Sequence, residues 1–127
     1  MDEDEKRSLV ERYLAAYNAF DIDGMMELIH PNIEFKNVSG GEVNATASDV
    51  IEYRQLAEKS KELFRSRKQT ILKFQSNADE TSIEVAYEGV LASDLPNGMK
   101  AGETLHLNGQ SVFTFRDGMI YRIKDAS

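Results

Sequence analysis

The fold is decided by residues 9–37, LVERYLAAYNAFDIDGMMELIHPNIEFKN, which predict a helix, a tight turn, a short helix and a strand. Apolar and aromatic residues recur here at three- and four-residue spacing, which is typical of one buried helix face. This face consists of Leu9, Tyr13, Ala16, Tyr17 and Phe20. Its two tyrosines would bring hydroxyl groups into an apolar interior, where each needs a hydrogen-bond partner.

The second half of this stretch predicts a short helix over residues 22–29, with Asp21 as its N-cap. His30-Pro31 is expected to end the helix, because the residue before a proline disfavours helical backbone. The strand that follows alternates, and its inward row is Ile33, Phe35 and Asn37. Asn37 is the one polar side chain of that row.

Residues 38–47 are rich in Gly, Ser and Asn, which predicts a turn at Gly40-Gly41 and a short edge strand near Val43. A second long helix follows, with Thr46 or Ser48 as its cap and Asp49 in its first turn. Its apolar face is predicted to contain Tyr53, Leu56, Ala57, Ser60, Leu63 and Phe64.

From about Arg67 the periodicity changes to the alternation that is typical of strands. Asp117-Gly118 predicts a tight hairpin before the last strand, residues 119–124. The residues that share a face in the four successive strands are Thr70, Leu72 and Phe74, then Ile83, Val85, Tyr87, Gly89 and Leu91, then Leu105, Leu107, Gly109, Ser111, Phe113 and Phe115, and finally Met119, Tyr121 and Ile123. The last three are expected to point inward.

Helices followed by hairpin strands predict an α+β fold, in which a curved antiparallel sheet carries the helices on its concave face. Such a cone-shaped arrangement encloses a pocket. Gly89 and Gly109 lie on the inward rows and could mark bends in the sheet. The chain of 127 residues is predicted to form one domain, residues 1–127.

Composition excludes several classes of function. The net charge of −7, without a basic stripe, argues against nucleic-acid binding. The chain has no cysteine, so it has neither a disulfide framework nor a thiolate site. No apolar run approaches membrane-spanning length and the acidic N-terminus is unlike a signal peptide, which predicts a cytoplasmic protein.

The segments RYLAAYNAFDIDG and IEFKNVSGG resemble the bacterial ketosteroid isomerases. The chain is thereby identified as a member of the nuclear-transport-factor-2-like superfamily, which also contains the SnoaL-like polyketide cyclases. The resemblance runs without a gap from about Leu9 to Gly40 and continues in strand order only. It implies that Tyr13 matches the tyrosine that binds the substrate oxyanion. It also implies that Asn37 replaces the aspartate base, and that Ser111 lies near the position of the family's protonated aspartic acid.

Because an amide cannot accept a proton at neutral pH, Asn37 cannot serve as the base. No carboxylate is found on the predicted inward rows. The sequence therefore predicts a SnoaL-like protein that binds a small hydrophobic molecule and lacks the isomerase acid–base pair. The alternative is an isomerase, cyclase or lyase acting on a ketone-type or polyketide-type substrate. The expected ligand-binding residues are Tyr13, Tyr17, Phe35, Asn37, Tyr53, Tyr87, Ser111 and Phe113. For Tyr53 and Tyr87 the alternative is core packing with the hydroxyl near the rim.

The remaining polar residues carry weaker signals. His30 is interpreted as structural, and neither a metal cluster nor a cofactor motif is predicted. Arg65, Arg67 and Lys68 are interpreted as a solvated surface cluster. The opposite face of the long strand is predicted to form a homodimer interface on the convex side of the sheet, through His106, Asn108, Gln110, Val112 and Thr114.

Overall fold

The computed structural model describes all residues, Met1–Ser127, as three helices and six strands. The elements are α1 (Glu3–Asn18), α2 (Ile22–Glu27), β1 (Ile29–Ser39), β2 (Glu42–Ala47), α3 (Val50–Glu62), β3 (Phe64–Ser76), β4 (Thr81–Leu91), β5 (Thr104–Arg116) and β6 (Met119–Ala126). The strands form one curved sheet in the order β2-β1-β6-β5-β4-β3, with the helices on its concave face. Only β1 and β6 pair in parallel. The predicted α+β fold is confirmed.

The N-termini of the helices follow from acidic capping residues. Asp21 accepts from the backbone N–H of Gly24 at 2.9 Å and caps α2, as predicted. The cap of α3 is Asp49, so the prediction of Thr46 or Ser48 was wrong. Asp49 accepts from the Glu52 N–H, while the Glu52 carboxylate accepts from the Ser48 N–H, each at 2.8 Å. This reciprocal arrangement resembles a capping box.

The short helix α2 ends at Glu27, two residues earlier than predicted, and β1 already begins at Ile29. Pairing with β6 explains the difference, because Ile29 lies opposite Ile120, whose N–H donates to the Leu28 carbonyl at 2.9 Å. Pro31 lies inside β1, in the stretch where the register with β6 shifts, so its missing N–H removes no ladder bond there. His30-Pro31 is therefore part of a strand and not a helix stop.

His30 ties β1 to the hairpin between β5 and β6. Its Nδ1 accepts from the Asn32 N–H at 3.0 Å, so its Nε2 carries the proton and donates to Asp117 at 3.0 Å. The ring also packs edge-on against Tyr121, with 5.3 Å between the ring centroids. The structural interpretation of this histidine is confirmed.

Two register shifts alter which residues of β3 and β6 face inward. In β3 a shift between Ile71 and Lys73 turns Ile71 and Phe74 toward the core and leaves Leu72 62% exposed. The shared face predicted for Thr70, Leu72 and Phe74 was therefore wrong.

The shift in β6 lies opposite the step from Thr114 to Phe115 of β5. It buries Ile120 and Ile123 and leaves Met119 and Tyr121 only partly buried. Of Met119, Tyr121 and Ile123, which were predicted to point inward, only Ile123 does so. The reason is that an extra residue in a strand reverses the alternation of its side chains.

The alternation predicted for β4 and β5 is confirmed, since Ile83, Val85, Ser111 and Phe113 are buried. The inward glycines of these strands act through close packing. A Cβ on Gly109 would lie 2.9 Å from the carbonyl oxygen of Ala126, and one on Gly89 would lie 2.6 Å from the Phe64 ring.

None of the three helices has the length and apolar composition that a membrane crossing requires.

Candidate functional site

A cavity of about 800 Å³ lies between the concave face of the sheet and helices α1 and α3. Its wall is mostly apolar, with a few polar groups at defined positions, as is usual for small-molecule sites. The structure brings all eight residues expected from the sequence to this one cavity, namely Tyr13, Tyr17, Phe35, Asn37, Tyr53, Tyr87, Ser111 and Phe113.

Three polar residues form a row across the middle of the sheet. Asn37 of β1 lies opposite Asp125 of β6, which in turn lies opposite Ser111 of β5. Directly opposed residues of neighbouring strands point to the same face, and all three line the cavity. The Ser111 hydroxyl donates to Oδ1 of Asp125 at 2.6 Å. This row is the polar centre of the cavity wall.

Asp125 is a carboxylate on an inward row, so the prediction that these rows contain none was wrong. The last strand was predicted to end at Lys124, whereas β6 continues to Ala126. One further step of the alternation from Ile123 leads to Asp125. The signal was therefore present in the sequence, at the last position of an inward row.

Burial raises the pKa of Asp125 to about 6. The hydrogen bond from Ser111 acts in the opposite direction, because it favours the charged carboxylate. No arginine, lysine or histidine forms an ion pair with this carboxyl group. Both the acid and the base form of Asp125 are therefore accessible near neutral pH, which is the condition for transferring protons in either direction.

Asn37 lies at the rim of the cavity, where its amide nitrogen donates to Oδ1 of Asn44 at 2.7 Å. The hydrogen bond leaves its carbonyl oxygen free to accept from a ligand. Asn37 is thus a polar neighbour of Asp125 in the row, and its side chain is hydrogen-bonded to Asn44 and not to Asp125.

The four cavity tyrosines form two hydroxyl pairs. The hydroxyls of Tyr13 and Tyr53 are hydrogen-bonded to each other, and those of Tyr17 and Tyr87 are 2.8 Å apart. Burial raises the pKa of Tyr13, Tyr53 and Tyr87, so these hydroxyls keep their protons. Two hydroxyls have two protons and one mutual bond, so each pair retains one proton that it can donate to a ligand.

The two predicted phenylalanines hold the Tyr13–Tyr53 pair in place. The Phe35 ring packs on Tyr53 with 4.9 Å between centroids, and Phe113 meets Tyr13 edge-to-face at 6.1 Å. Phe35 and Phe113 are next to Asn37 and Ser111 on the inward rows of β1 and β5. The apolar wall and the polar row are therefore parts of the same strands.

Arg67 is the second polar group that sequence reasoning placed wrongly. It was interpreted as part of a surface cluster, but it is only 5% exposed and lines the cavity. Its neighbours in that cluster, Arg65 and Lys68, are exposed as expected. Alternation along β3 turns Arg67 inward, opposite Gly89 of β4.

The sequence profile of the SnoaL-like domain matches residues 10–123, and the chain belongs to this family. No curated protein matches the sequence at a significant level.

Solved structures show the same fold at low sequence identity. A protein from Xanthomonas campestris pv. campestris, named as a candidate polyketide cyclase, is 19% identical with a TM-score of 0.84, over 98% of this chain and 90% of that chain. TerC, co-crystallised with polyporic acid, is 18% identical with a TM-score of 0.76, over 95% and 89%. A protein of ketosteroid isomerase-like fold from Catenulispora acidiphila, in complex with trimethylamine, is 16% identical with a TM-score of 0.74, over 92% and 82%.

Proposed function

We propose that this protein binds a small, mainly apolar carbonyl compound of ketone or polyketide type and uses Asp125 to move a proton on it. The observation that carries the proposal is a carboxyl group, held by Ser111, in the wall of a largely apolar cavity. Two proteins of the same fold were crystallised with organic molecules, trimethylamine and polyporic acid, which supports a small organic molecule as the ligand.

The proposed chemistry is proton abstraction next to a carbonyl group. The Asp125 carboxylate takes a proton from the carbon beside the ligand carbonyl, which leaves an enolate and a neutral carboxylic acid. The spare proton of the Tyr13–Tyr53 pair stabilises the enolate oxygen through a hydrogen bond. In a β,γ-unsaturated ketone, return of the proton from the Asp125 carboxylic acid to the γ carbon of the dienolate gives isomerisation. Alternatively, the enolate carbon forms a bond to a second carbonyl carbon of the same ligand, and the resulting alkoxide takes the proton back from Asp125, which closes a ring.

Binding without chemistry is the second candidate, and two observations favour it. Asn37 stands where the family resemblance implies the base, so the isomerase acid–base pair itself is not formed by Asn37 and Ser111. The hydroxyl of Tyr13 is also already bonded to Tyr53, which uses part of its hydrogen-bonding capacity. In this case Asp125 would only orient a bound molecule. A cytoplasmic location stays a prediction from the sequence.

Hydrogen–deuterium exchange at C2 of 1-tetralone tests proton transfer directly. In D₂O the protein is expected to accelerate this exchange, with a rate that rises as the pH passes through about 6, because only the ionised Asp125 is a base. The exchange is followed by proton NMR from about pH 5 to about pH 7.5, against buffer alone. If 1-tetralone binds but exchanges at the buffer rate throughout, the protein is a binder and the proposed chemistry is wrong.

We also propose a homodimer through the convex face of the sheet. Its exposed surface combines polar side chains of β5, such as His106 and Asn108, with Leu72, which the shift in β3 leaves exposed. Val112 adds a partly buried apolar side chain on the same face. A contact of this face with itself would be isologous, which is the commonest arrangement in soluble dimers.

Sedimentation velocity at micromolar concentration is expected to show the dimer. Val112→Arg should dissociate it, because the two-fold axis brings the introduced charges close together. The matched control is Ile51→Arg, which places the same charge on an exposed apolar position of α3, away from the convex face. A wild-type protein that sediments only as a monomer, or a Val112→Arg variant that stays dimeric, would refute this interface.

A further inference from the structure

Arg67 is a buried cation without a carboxylate partner. Its Nε donates to the carbonyl oxygen of Tyr17 at 2.9 Å, and its Nη1 lies 3.4 Å from the Ser60 hydroxyl. Its Nη2 is buried and has no hydrogen-bond partner. None of the seven ion pairs in the protein includes this guanidinium. A buried charge without a counter-ion is strongly unfavourable, so the absence of a carboxylate requires an explanation.

Part of the explanation is structural. The Tyr17 carbonyl lies in the last turn of α1, which has no basic residue of its own, and Arg67 supplies a cation there. The guanidinium also stacks on aromatic rings, with its central carbon 3.6 Å from the Tyr17 centroid and 4.5 Å from that of Phe20. These contacts account for Nε and for the plane of the group, but they leave the Nη2 protons unused.

Arg67 is at the same time a residue of the cavity wall. Arg67, Ser60 and the Tyr17–Tyr87 hydroxyl pair line the same side of the cavity, toward α3 and β3. The positive charge of Arg67 also acts on other residues of the cavity. It lowers the pKa of Tyr53 and Tyr87, although burial raises the pKa of both by a larger amount. The cavity thus has a cationic region at Arg67, besides the carboxyl group of Asp125 on the central strands.

We propose that Arg67 is the anchoring group for an anionic oxygen of the ligand, of which a carboxylate is the simplest form. A guanidinium and a carboxylate or an acidic enol oxygen form charge-assisted hydrogen bonds, which are the strong ones in proteins. A ligand oxygen bound beside the guanidinium supplies the counter-charge that the fold omits. The inference rests on the proposed function, because it assigns the ligand class of the same cavity: a mainly apolar organic acid.

Binding of 2-naphthoate and 2-acetylnaphthalene tests this assignment. The two probes share their aromatic body, and only the first carries a negative charge. Isothermal titration calorimetry should show that 2-naphthoate binds more tightly by a factor of about 10 to 100, which is the range for a hydrogen bond to a charged group. All titrations are made in the Asp125→Asn background as well, so that repulsion from this carboxylate does not mask the preference.

Arg67→Met should abolish the preference for 2-naphthoate while leaving the affinity for 2-acetylnaphthalene nearly unchanged. The matched control is Arg65→Met, which removes an exposed charge two residues away on the same strand. A purely structural role of Arg67 would weaken both probes equally, so the ratio of the two affinities is the decisive readout. Equal affinities in the wild type, or a ratio that survives in Arg67→Met, would overturn the assignment.

Arg67→Lys keeps the inference testable if the methionine variant does not fold. Lysine retains the positive charge at the end of α1. Its single ammonium group lacks the planar fork of donors by which a guanidinium bonds the Tyr17 carbonyl and a ligand at the same time. We expect an affinity for 2-naphthoate about 3- to 10-fold lower, and an unchanged affinity would refute the role of the guanidinium.

The two probes also separate this inference from the proposed function. If only the neutral ketone binds, the anion site at Arg67 is wrong, whereas the cavity remains the ligand site. Failure of both probes to bind would reject the proposed function as well.

Discussion

Asp125→Asn is expected to lower the protein-catalysed exchange of 1-tetralone by about 10²–10⁴-fold, the usual contribution of a positioned base. An amide cannot accept the proton, yet it has the shape of the carboxyl group and keeps an oxygen that can accept from Ser111. The affinity for the ketone should therefore change little. Exchange is measured by NMR at about pH 7, where the wild-type carboxyl is mostly ionised.

Two further variants make this result specific. Glu84→Gln removes an exposed carboxylate of β4 that points away from the cavity, and it should leave the exchange rate unchanged. Asn37→Asp in the Asp125→Asn background moves the carboxylate to the directly paired position of β1, about 5 Å away. This swap should recover part of the rate. Wild-type exchange in Asp125→Asn itself would mean that another group is the base.

Asn37→Asp in the wild-type background is a less informative change. It would place two carboxylates opposite each other on adjacent strands, and such a pair raises the pKa of one member strongly. The added residue would then share its proton with Asp125 and change the existing base at the same time. Moving the carboxylate, with Asn in its former place, keeps the number of charges in the cavity constant.

The second large effect is a gain in stability of Asp125→Asn at neutral pH. The folded protein holds the Asp125 pKa at about 6, above its ordinary value of 3.8, so the folded state binds this proton more tightly than the unfolded chain. This tighter binding of the proton contributes to the free energy of unfolding. The contribution is complete below about pH 4 and is lost as the pH rises through about 6. The difference of about 2 pKa units corresponds to about 3 kcal/mol.

Urea denaturation of the wild type and Asp125→Asn, at the same protein concentration, measures this contribution. The difference between their free energies of unfolding should be small near pH 4 and grow to about 3 kcal/mol in favour of Asp125→Asn near pH 7.5. Taking the difference removes the titration of the many surface carboxylates, which both proteins share. A difference that is independent of pH would show that burial in the folded state does not raise the pKa of Asp125.

The sequence predicted those parts of the fold that follow from regular periodicity. The apolar face of α1 and the alternating rows of β4 and β5 could be read from spacing alone, because one repeat of 3.6 or 2.0 residues continues through each element. These elements supply Tyr13, Tyr87, Ser111 and Phe113. The resemblance to ketosteroid isomerases implied a ligand pocket on the concave side of these elements, where the structure places the cavity.

The errors in β6 and at Arg67 have a common physical origin in contacts between distant segments. A register shift such as that at Tyr121 depends on how β6 meets β5, which no local pattern specifies. Arg67 looks like a surface residue beside Arg65 and Lys68, but its register opposite Gly89 turns it inward, where it packs on α1. Asp125 was not predicted for a simpler reason. The boundary of a strand is the part that a sequence predicts least well, and here the predicted end was one residue short of Asp125.

The position of β6 in the sheet also constrains how the protein folds. This strand is the last along the chain, yet it lies between β1 and β5 and closes the sheet. Until it is synthesised, the β1–β2 hairpin and the β3–β4–β5 meander each present an open edge, and unpaired edges favour association between chains. Joining them requires parallel pairing of strands that are distant in sequence, for example of Ile29 with Ile120, a topology that slows folding. The row of Asn37, Asp125 and Ser111 thus exists only once β6 has paired with both β1 and β5.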